Sequence, residues 1–350
     1  MNLRIGIFGA GGVGGYVGAR MALAGEDVTL IGQWPENVDR IKRAGLHVGG
    51  TGREQIAKPA ALHLHEVQSL VRQPLDVVFL CVKSYDTPWA TTMITPYLSP
   101  AGFIVSMQNG MNEESIAAFA GWERTMGVVL STIGVNAVGP GHVVRTTEPA
   151  GSTHAVFRVG EVHGRLTHRV REVVRLLNCA DSSVGTANLW GERWSKLVTN
   201  SISHGLSAAT GLTSREILDS RALRRIIISL AAEGIAVGEA LGYSLVSIYG
   251  AEPGTWTAAA RGDHGSMQEI DLRLTERLGR VTGTERPSVA QDLSRGRRTE
   301  IEYTSGLVVS KAQGAGIAVP IQRAVLEVVR QVERGNLVPE LTTLARIASY

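Results

Sequence analysis

The sequence predicts an α/β domain with a mostly parallel sheet, followed by an all-α helical domain. In the first half, short apolar runs of strand length alternate with segments of helical periodicity, which is the pattern of βαβ units. Beyond Trp190 the apolar residues follow helical spacing and no convincing strand appears. We therefore predict a domain boundary near residue 187, which divides the chain into 1–187 and 188–350.

The N-terminal segment predicts the first βαβ unit. An isoleucine-rich run at 3–8 is a strand, the glycines of 9–15 form a turn, and the helical spacing that follows ends at Gly25. A second strand covers 27–32. Because the crossover between two such strands is right-handed, we expect them to be parallel.

The later elements follow from the same two periodicities. Near-continuous apolar runs predict three buried strands, at 75–82, 102–107 and 126–135. A partly exposed strand is predicted at 155–162, and a helix follows it at 167–178. Helical spacing predicts six helices in the second half, at 191–211, 214–241, 265–280, 288–295, 299–315 and 320–334. The least regular segment, 244–286, is interpreted as an extended helical hairpin or as a mobile cover.

The composition excludes several classes of protein. Of the 350 residues, 44% are hydrophobic and 19% are charged, so the chain can build about two hydrophobic cores and is not disordered. No apolar stretch approaches the roughly 18 residues of a membrane span, so we expect no membrane association. The net charge of +3 comes from dispersed charges rather than a basic block, and a nucleic acid is not expected as a partner.

The cysteines and histidines indicate neither disulfides nor a metal site. Cys81 and Cys179 belong to no Cys/His cluster, which argues against a disulfide framework and fits a reducing cytoplasm. His63 and His65 have the spacing of one strand face, but no third ligand accompanies them. We therefore expect a surface pair and no bound metal.

The glycine turn carries the first chemical motif. It matches G-x-G-x-x-G, the dinucleotide fingerprint of a Rossmann domain, over Gly9, Ala10, Gly11, Gly12, Val13 and Gly14. The first glycine permits the tight turn, the second lets a pyrophosphate approach the backbone, and the third lets helix and strand pack closely. The helix that begins here points unpaired N–H groups at the phosphates. The alternative is a glycine turn with a purely structural role.

The residues after the second strand bear on the choice of dinucleotide. An NAD site usually has an acidic residue there and an NADP site a basic one nearby, whereas this chain has Gly32 and then Gln33. Gly32 leaves room for a 2′-phosphate, but Gln33 brings no charge. Three basic residues of the next helix either supply that charge or form a solvated face: Arg40, Lys42 and Arg43.

A polar stripe runs along the first helix of the second half. Lys196 and Asn200 are four residues apart, so they share a helix face and lie about 6 Å apart along the axis, and His204 continues the stripe. Because Trp194 and Leu197 flank the lysine near the domain boundary, desolvation would lower its pKa from about 10.4 and make it a usable proton donor. The alternative is a surface lysine beside a helix asparagine.

A second candidate site lies nearer the C-terminus. Gly296 can end one helix, and the segment from Thr299 to Glu302 matches the T-x-x-E capping box that begins the next. Glu300 would then lie in the first helical turn, where a carboxylate interacts favourably with the helix dipole. The alternative is a functional role, in which Glu300 accepts a hydrogen bond from a substrate hydroxyl.

In their order along the chain, these motifs resemble those of the ketopantoate reductases (2-dehydropantoate 2-reductases). They are GAGGVGG at 9–15, CVKS at 81–84, QNG at 108–110, GPG at 139–141, W-x-K-L-x-x-N at 194–200, S-x-x-Q-D-x-x-x-G-R-x-T-E-I at 288–301 and GIAVP at 316–320. The resemblance covers nearly the whole chain. It implies a Rossmann domain joined to an all-helical substrate domain, a small 2-keto acid as the substrate, and NADP(H) as the favoured cofactor with NAD(H) as the alternative.

The resemblance also implies roles for individual residues. Catalytic roles fall to Lys196, Asn200 and Glu300, substrate contacts to Asn109, Asn200, His204, Ser288 and Glu300, and cofactor contacts beyond the glycine motif to Gln33, Lys83 and Asn109. Three positions depart from the family pattern, because His204 and Ser305 stand in place of asparagines and Gln33 in place of an arginine.

The predicted activity is therefore the NAD(P)H-dependent reduction of a 2-keto acid, with 2-dehydropantoate, a step of pantothenate biosynthesis, as the first candidate. Two alternatives stay open. One is another Rossmann-plus-helical dehydrogenase, of the opine or 3-hydroxy acid type. The other is a non-catalytic NADP(H)-binding sensor. The apolar faces of the second domain favour a homodimer in either case.

Overall fold

The computed structural model describes residues 3–131, 133–279 and 286–348. The chain divides into two compact units, Met1–Leu189 and Trp190–Tyr350. The strands of the first unit, in chain order, are β1 Arg4–Phe8, β2 Asp27–Gly32, β3 Leu46–Gly50, β4 Gln55–Ala57, β5 Ala60–His63, β6 Leu75–Leu80, β7 Leu98–Ser106, β8 Thr125–Leu130, β9 Val135–Gly139, β10 His142–Arg145, β11 Phe157–Glu161 and β12 Ser183–Gly185. Its α-helices are α1 Gly12–Leu23, α2 Pro35–Ala44, α3 Thr87–Ile94, α4 Glu113–Ala120 and α5 His168–Leu177.

The larger sheet of this unit has eight strands in the order β12-β11-β8-β7-β6-β1-β2-β5. All neighbouring strands are parallel except β11 and β8, so the predicted mostly parallel sheet is confirmed. Ile7 and Phe79 are buried in the core on one face, and Phe8 and Val78 in the core on the other. Burial on both faces explains why these strands are near-continuous apolar runs.

The central strands bring three chain segments together at one edge of this sheet. Beyond the end of β1, the Gly9 N–H donates to the Ile31 carbonyl at 2.9 Å, and the Phe8 carbonyl accepts from the Cys81 N–H at 2.7 Å. The carboxyl ends of β1, β2 and β6 are therefore adjacent. In an open α/β sheet, this is the edge at which ligands bind.

A second sheet, in the order β4-β3-β10-β9, packs against α1 and was not expected from the sequence. A Cβ at Gly12 would lie 2.6 Å from the Val135 carbonyl oxygen, and one at Gly15 would lie 3.1 Å from Val143 Cγ1. These two glycines therefore let the small sheet approach the helix. Its strands have three to five residues each and contain several glycines, which is too little for a strand pattern to stand out in the sequence.

The second unit is helical. Its helices are α6 Leu189–Thr210, α7 Ser214–Asp219, α8 Arg224–Ala240, α9 Pro253–Ala260, α10 His264–Leu278, α11 Ser288–Ser294, α12 Ser305–Ala315, α13 Pro320–Glu333 and α14 Leu344–Ala348. Trp194 of α6 is fully buried against α8, and its indole N–H donates to the Gly234 carbonyl at 2.8 Å. Gly238, one turn later, leaves space for the same ring. Among the residues described, no helix combines the length and apolarity that crossing a membrane requires.

Glu233 of α8 holds the beginning of α13. Its carboxylate accepts the N–H groups of Ile321 at 3.0 Å and Gln322 at 2.8 Å, which caps that helix from a neighbouring one. Burial raises the pKa of Glu233, although the two N–H donors act in the opposite direction.

Two predicted elements of the first unit are corrected. The strand expected at 126–135 is β8, which ends at Leu130, because Val135 already belongs to β9 of the second sheet. Ser131 still donates its N–H to the Val156 carbonyl and its hydroxyl to the Ala155 carbonyl, both in the segment before β11. The strand expected at 155–162 to be partly exposed is mostly buried, since β11 is paired on both sides.

Two predicted elements of the second unit are also corrected. The helix expected at 214–241 is two helices, because the Ser220 hydroxyl and carbonyl both accept the Leu223 N–H and end α7. Within the irregular segment 244–286, the structure describes a pair of helices, α9 and α10, and residues 280–285 lie outside the description.

Candidate active site

The glycine loop is packed closely everywhere except at one position. Gly9 has φ +110°, and a Cβ there would lie 2.7 Å from the Cys81 carbonyl carbon. A Cβ at Gly14 would overlap the Gly9 carbonyl oxygen. At Gly11, in contrast, no described atom lies within 4 Å of an added Cβ, and the residue is exposed. The loop therefore leaves its open side at the second glycine of the motif, where a pyrophosphate would approach.

The beginning of α1 suits an anion. Gly11 is its N-cap, and among the described residues no side chain caps these first N–H groups and no acidic side chain lies in the first turn. The partial positive charge of the helix N-terminus is thus available to a phosphate. With the open side at Gly11, these features fit a dinucleotide, and the residues that would hold its pyrophosphate are Ala10, Gly11, Gly12 and Val13.

Asn37, in the first turn of α2, holds the glycine loop in place through hydrogen bonds of its side chain. It is 4% exposed; its amide nitrogen donates to the Ala10 carbonyl at 3.0 Å, and its amide oxygen accepts the Gly141 N–H at 2.8 Å. One side chain thereby ties α2, the glycine loop and the β9–β10 turn together. Asn37 was not among the predicted site residues, because an asparagine inside a helix has no distinctive local pattern.

The second strand ends without a charged residue. Gln33, which directly follows β2, is exposed. All three basic residues of α2 considered above are exposed, and Lys42 forms an ion pair with Glu66, with Nζ 2.6 Å from Oε1. Glu66 therefore neutralises the charge of Lys42 within the protein itself. This favours the interpretation of Lys42 as part of a solvated helix face and not as a ligand of a 2′-phosphate.

The loops after β6 and β7 are tied to each other. The Asn109 carbonyl accepts from Ser84 Oγ at 3.0 Å and from Asn112 Nδ2 at 2.7 Å, and Gln108 Nε2 donates to the Val82 carbonyl at 2.9 Å. Lys83 is half-buried beside Ser84 in the first of these loops. The network fixes the backbone at both predicted cofactor-contacting residues, Lys83 and Asn109, at the carboxyl edge of the sheet. Ser84, Gln108 and Asn112 were not among the predicted site residues.

The predicted polar stripe lies along α6. Lys196 is half-buried, whereas Asn200 is 2% exposed and His204 is 9% exposed. Gly205, the next residue, lies against Ser305 of α12, whose Oγ would be 3.5 Å from a Cβ there. Ser305 therefore lies against α6 at the residue that follows His204, so two of the positions that depart from the family pattern belong to neighbouring parts of the fold.

Two serine hydroxyl groups in the described part of the second unit are buried and lack a hydrogen-bond partner. Among the described residues, neither Ser288 Oγ nor Ser305 Oγ has a hydrogen-bond partner. A buried hydroxyl without a partner costs roughly 1–3 kcal/mol, so native structures rarely leave one unless a water or ligand completes it. Both atoms are thus suited to bind a polar ligand.

Glu300 is not in the first turn of a helix, and the expected capping box is wrong. The Thr299 N–H donates to Glu333 Oε1 at 2.8 Å, and Glu302 binds the Arg330 guanidinium through both oxygens at 2.7 and 2.8 Å. These charge-assisted partners on α13 displace the local cap. Glu300 instead precedes a 3₁₀ turn at Ile301–Tyr303 and is 3% exposed. The dipole role proposed for it therefore has no structural basis.

His63, His65 and the two cysteines, unlike His204, lie outside the predicted site residues. His63 ends β5, and its ring stacks on His65 at 5.3 Å and lies 2.9 Å from Asp39. Both cysteines are free, and burial raises the pKa of the Cys81 thiol, which makes it a poor nucleophile. Within 3–131, 133–279 and 286–348, no group of three or more His, Cys, Asp or Glu side chains is arranged to hold a metal.

Comparison with known proteins agrees with this architecture. The family described as ketopantoate reductase PanE/ApbA matches residues 5–155, and the C-terminal family of the same name matches 188–333. A 2-dehydropantoate 2-reductase of Archaeoglobus fulgidus is 30% identical over 95% of this chain and 98% of that protein.

Solved structures agree as well. The structure of a PanE/ApbA family ketopantoate reductase from Ralstonia eutropha JMP134 superposes with a TM-score of 0.76 at 26% identity, covering 95% of this chain and 99% of that one. A D-mandelate dehydrogenase bound to NADH and anilino(oxo)acetate shares the fold, with a TM-score of 0.78 at 19% identity, covering 95% and 98% of the two chains. By its sequence and its fold, this chain belongs to the ketopantoate reductase family.

Proposed function

We propose that this protein reduces a small 2-keto acid to the 2-hydroxy acid with a reduced nicotinamide dinucleotide, and that its substrate is 2-dehydropantoate. The observation that carries the cofactor assignment is the glycine loop, which is closed by the protein at Gly9 and Gly14 and open at Gly11. Membership of the family supports the substrate, because the curated relatives are named 2-dehydropantoate 2-reductases. Formation of pantoate would make this a step of pantothenate biosynthesis.

In the proposed mechanism, the chemistry that a nicotinamide dinucleotide would supply when bound is hydride transfer to the ketone carbon of the substrate. Lys196 donates the proton to the oxygen that becomes the alkoxide, and its charge stabilises that oxygen as negative charge develops. Asn200, buried one turn away on α6, donates a hydrogen bond to the same carbonyl and limits its orientation. The ketone thereby gains one hydride and one proton.

The remaining polar groups hold the substrate. The Ser288 hydroxyl, which has no partner among the described residues, donates to the substrate carboxylate. Glu300 accepts from the substrate hydroxyl, while His204 and Asn109 complete the polar contacts. Lys83 and Asn109 lie at the carboxyl edge of the sheet and would contact the ribose and the nicotinamide. Gln33 lies where the adenosine ribose is expected.

We propose NADPH as the favoured cofactor. Gly32 and Gln33 place no carboxylate directly at the end of β2, so neither residue repels a 2′-phosphate. Gln33 can hydrogen-bond to either dinucleotide, which leaves NADH as a slower substitute. We also propose a homodimer located in the cytoplasm, consistent with two unpaired cysteines. Light scattering of the purified protein measures its oligomeric state.

The reaction is tested by the oxidation of NADPH and of NADH, measured side by side at 340 nm with 2-dehydropantoate and a panel of other 2-keto acids. The panel includes phenylglyoxylate, the keto acid that corresponds to mandelate. We expect the highest kcat/KM with NADPH and 2-dehydropantoate. A preference for another keto acid would assign His204 and Ser305 to a changed substrate. Cofactor binding with no turnover of any ketone would refute the reductase assignment.

A further inference from the structure

An exposed tryptophan lies beside the glycine loop. The final residues of β1 and β2 are paired, Phe8 with Ile31, and the Gly9 N–H donates to the Ile31 carbonyl at 2.9 Å. The chain leaving β1 enters the glycine loop, and the chain leaving β2 reaches Trp34 two residues after the strand ends. Both segments therefore leave the sheet at the same edge and side by side.

The Trp34 indole is partly exposed and forms no specific polar or aromatic contact with the described residues. It is 42% exposed, and with the described residues it makes no hydrogen bond and no ring contact. Trp89 provides a contrast, since its indole donates to Asp86 at 2.8 Å and packs edge-on against Phe8. An exposed indole that makes neither kind of contact, beside a loop suited to an anion, is a candidate contact for a bound ligand.

The backbone that carries this indole is fixed. Pro35 begins α2 directly after Trp34, and the Trp34 carbonyl accepts the Val38 N–H at 3.2 Å. Asn37, three residues later, binds both the Ala10 carbonyl and the Gly141 N–H. The position of Trp34 relative to the glycine loop is therefore set before any ligand binds, which reduces the entropy lost on binding.

A dinucleotide with its pyrophosphate on the glycine loop extends its adenosine half over the end of β2. There it would meet an uncharged Gln33 and the exposed part of the Trp34 indole. An indole stacks on a nucleobase through the π face that every base has. We propose that Trp34 stacks on the adenine base of the bound dinucleotide and supplies the adenosine affinity that no charged residue at the end of β2 provides. This inference rests on the dinucleotide cofactor of the proposed function.

The test compares three variants of the full-length protein by titration calorimetry with ADP-ribose, NADH and NADPH. Because one base–aromatic stack contributes about fivefold or more to affinity, Trp34→Ala should raise the Kd of all three ligands by about fivefold or more and by the same factor. Trp34→Phe keeps a stacking face and should recover most of this loss. Trp122→Ala is the matched control, since Trp122 is 50% exposed but precedes β8, at the opposite edge of the sheet. It should bind with wild-type affinity.

A spectroscopic readout separates stacking from a general structural effect. ADP-ribose has no nicotinamide, so it should quench tryptophan emission of the wild type and of Trp122→Phe through the stacked adenine, but not that of Trp34→Phe. Wild-type affinity of Trp34→Ala for ADP-ribose would overturn the proposal, and so would a loss confined to NADPH, which would assign Trp34 to the 2′-phosphate. Binding of ADP-ribose without any ketone reduction would refute the reductase function and leave this inference standing.

Discussion

Gly11→Ala should separate cofactor binding from folding. No described atom lies within 4 Å of the added methyl group, and Gly11 has φ −82° and ψ −152°, at the border of the extended region that an alanine adopts. The free energy of unfolding should therefore fall by no more than about 1 kcal/mol, the cost of alanine at a helix N-cap. The same methyl group occupies the side from which the pyrophosphate approaches. Losing even one charge-assisted hydrogen bond, worth about 1.5–3 kcal/mol, raises the Kd of NADPH about tenfold or more.

Two other glycines are the controls. Gly14→Ala brings its Cβ onto the Gly9 carbonyl oxygen and within 2.9 Å of Cys81 Cβ, so it should destabilise the fold by roughly 1–3 kcal/mol. Gly314→Ala lies in α12 with no described atom within 4 Å, and should stabilise the fold by about 0.5–1 kcal/mol without changing NADPH affinity.

Urea denaturation measures the stability of the three variants, and calorimetry measures their affinity for NADPH. The reasoning fails if Gly11→Ala binds NADPH as tightly as the wild type. It also fails if this variant loses as much stability as Gly14→Ala, because the methyl group would then be colliding with the protein and not with the ligand.

Three further predictions concern a catalytic group, a positioning group and a buried acid. Lys196→Ala should lower kcat about a hundredfold or more with the Kd of NADPH unchanged, and a rate within threefold of wild type would refute its role as proton donor. Asn37→Ala leaves the Ala10 carbonyl and the Gly141 N–H without their partner, so urea denaturation should show a loss of about 1–3 kcal/mol; an unchanged midpoint would contradict this. Burial raises the pKa of Glu233 above 4.5, so this carboxyl group binds its proton more tightly in the folded protein than in the unfolded chain. The stabilisation that results is complete below pH 4.5 and is lost as the pH rises through the pKa of the folded protein. Glu233→Gln should remove this pH dependence. If the stabilities of the wild type and of Glu233→Gln changed in parallel with pH, Glu233 would not be its cause.

The sequence predicts the parallel core and the glycine loop because each depends on local pattern. β1, β2 and β6 are apolar runs buried on both faces, and the glycines of the loop recur at the spacing that a strand-to-helix turn requires. The long helix α6 is predicted for a similar reason, since its periodicity extends over six turns and tolerates one polar stripe.

The features that the sequence does not reveal depend on partners far away along the chain. The T-x-x-E pattern at Thr299 is a sound local signal, yet Arg330 and Glu333 of α13 bind the groups that a capping box would use. Asn37 acquires its role only when Ala10 and Gly141 fold beside it. Ser305 could be recognised as a departure from the family pattern, but not as a neighbour of α6. Only the fold brings these residues together.

The most direct test of the central claim is the stoichiometry of a complete reaction. Purified protein is incubated with a limiting amount of NADPH and an excess of 2-dehydropantoate, and the products are quantified by mass spectrometry. We predict one pantoate formed for each NADPH oxidised, and an initial rate of pantoate formation lower by about a hundredfold or more for Lys196→Ala. Oxidation of NADPH without pantoate, or no oxidation by a protein that binds NADPH, would contradict the assignment of this chain as a ketopantoate reductase.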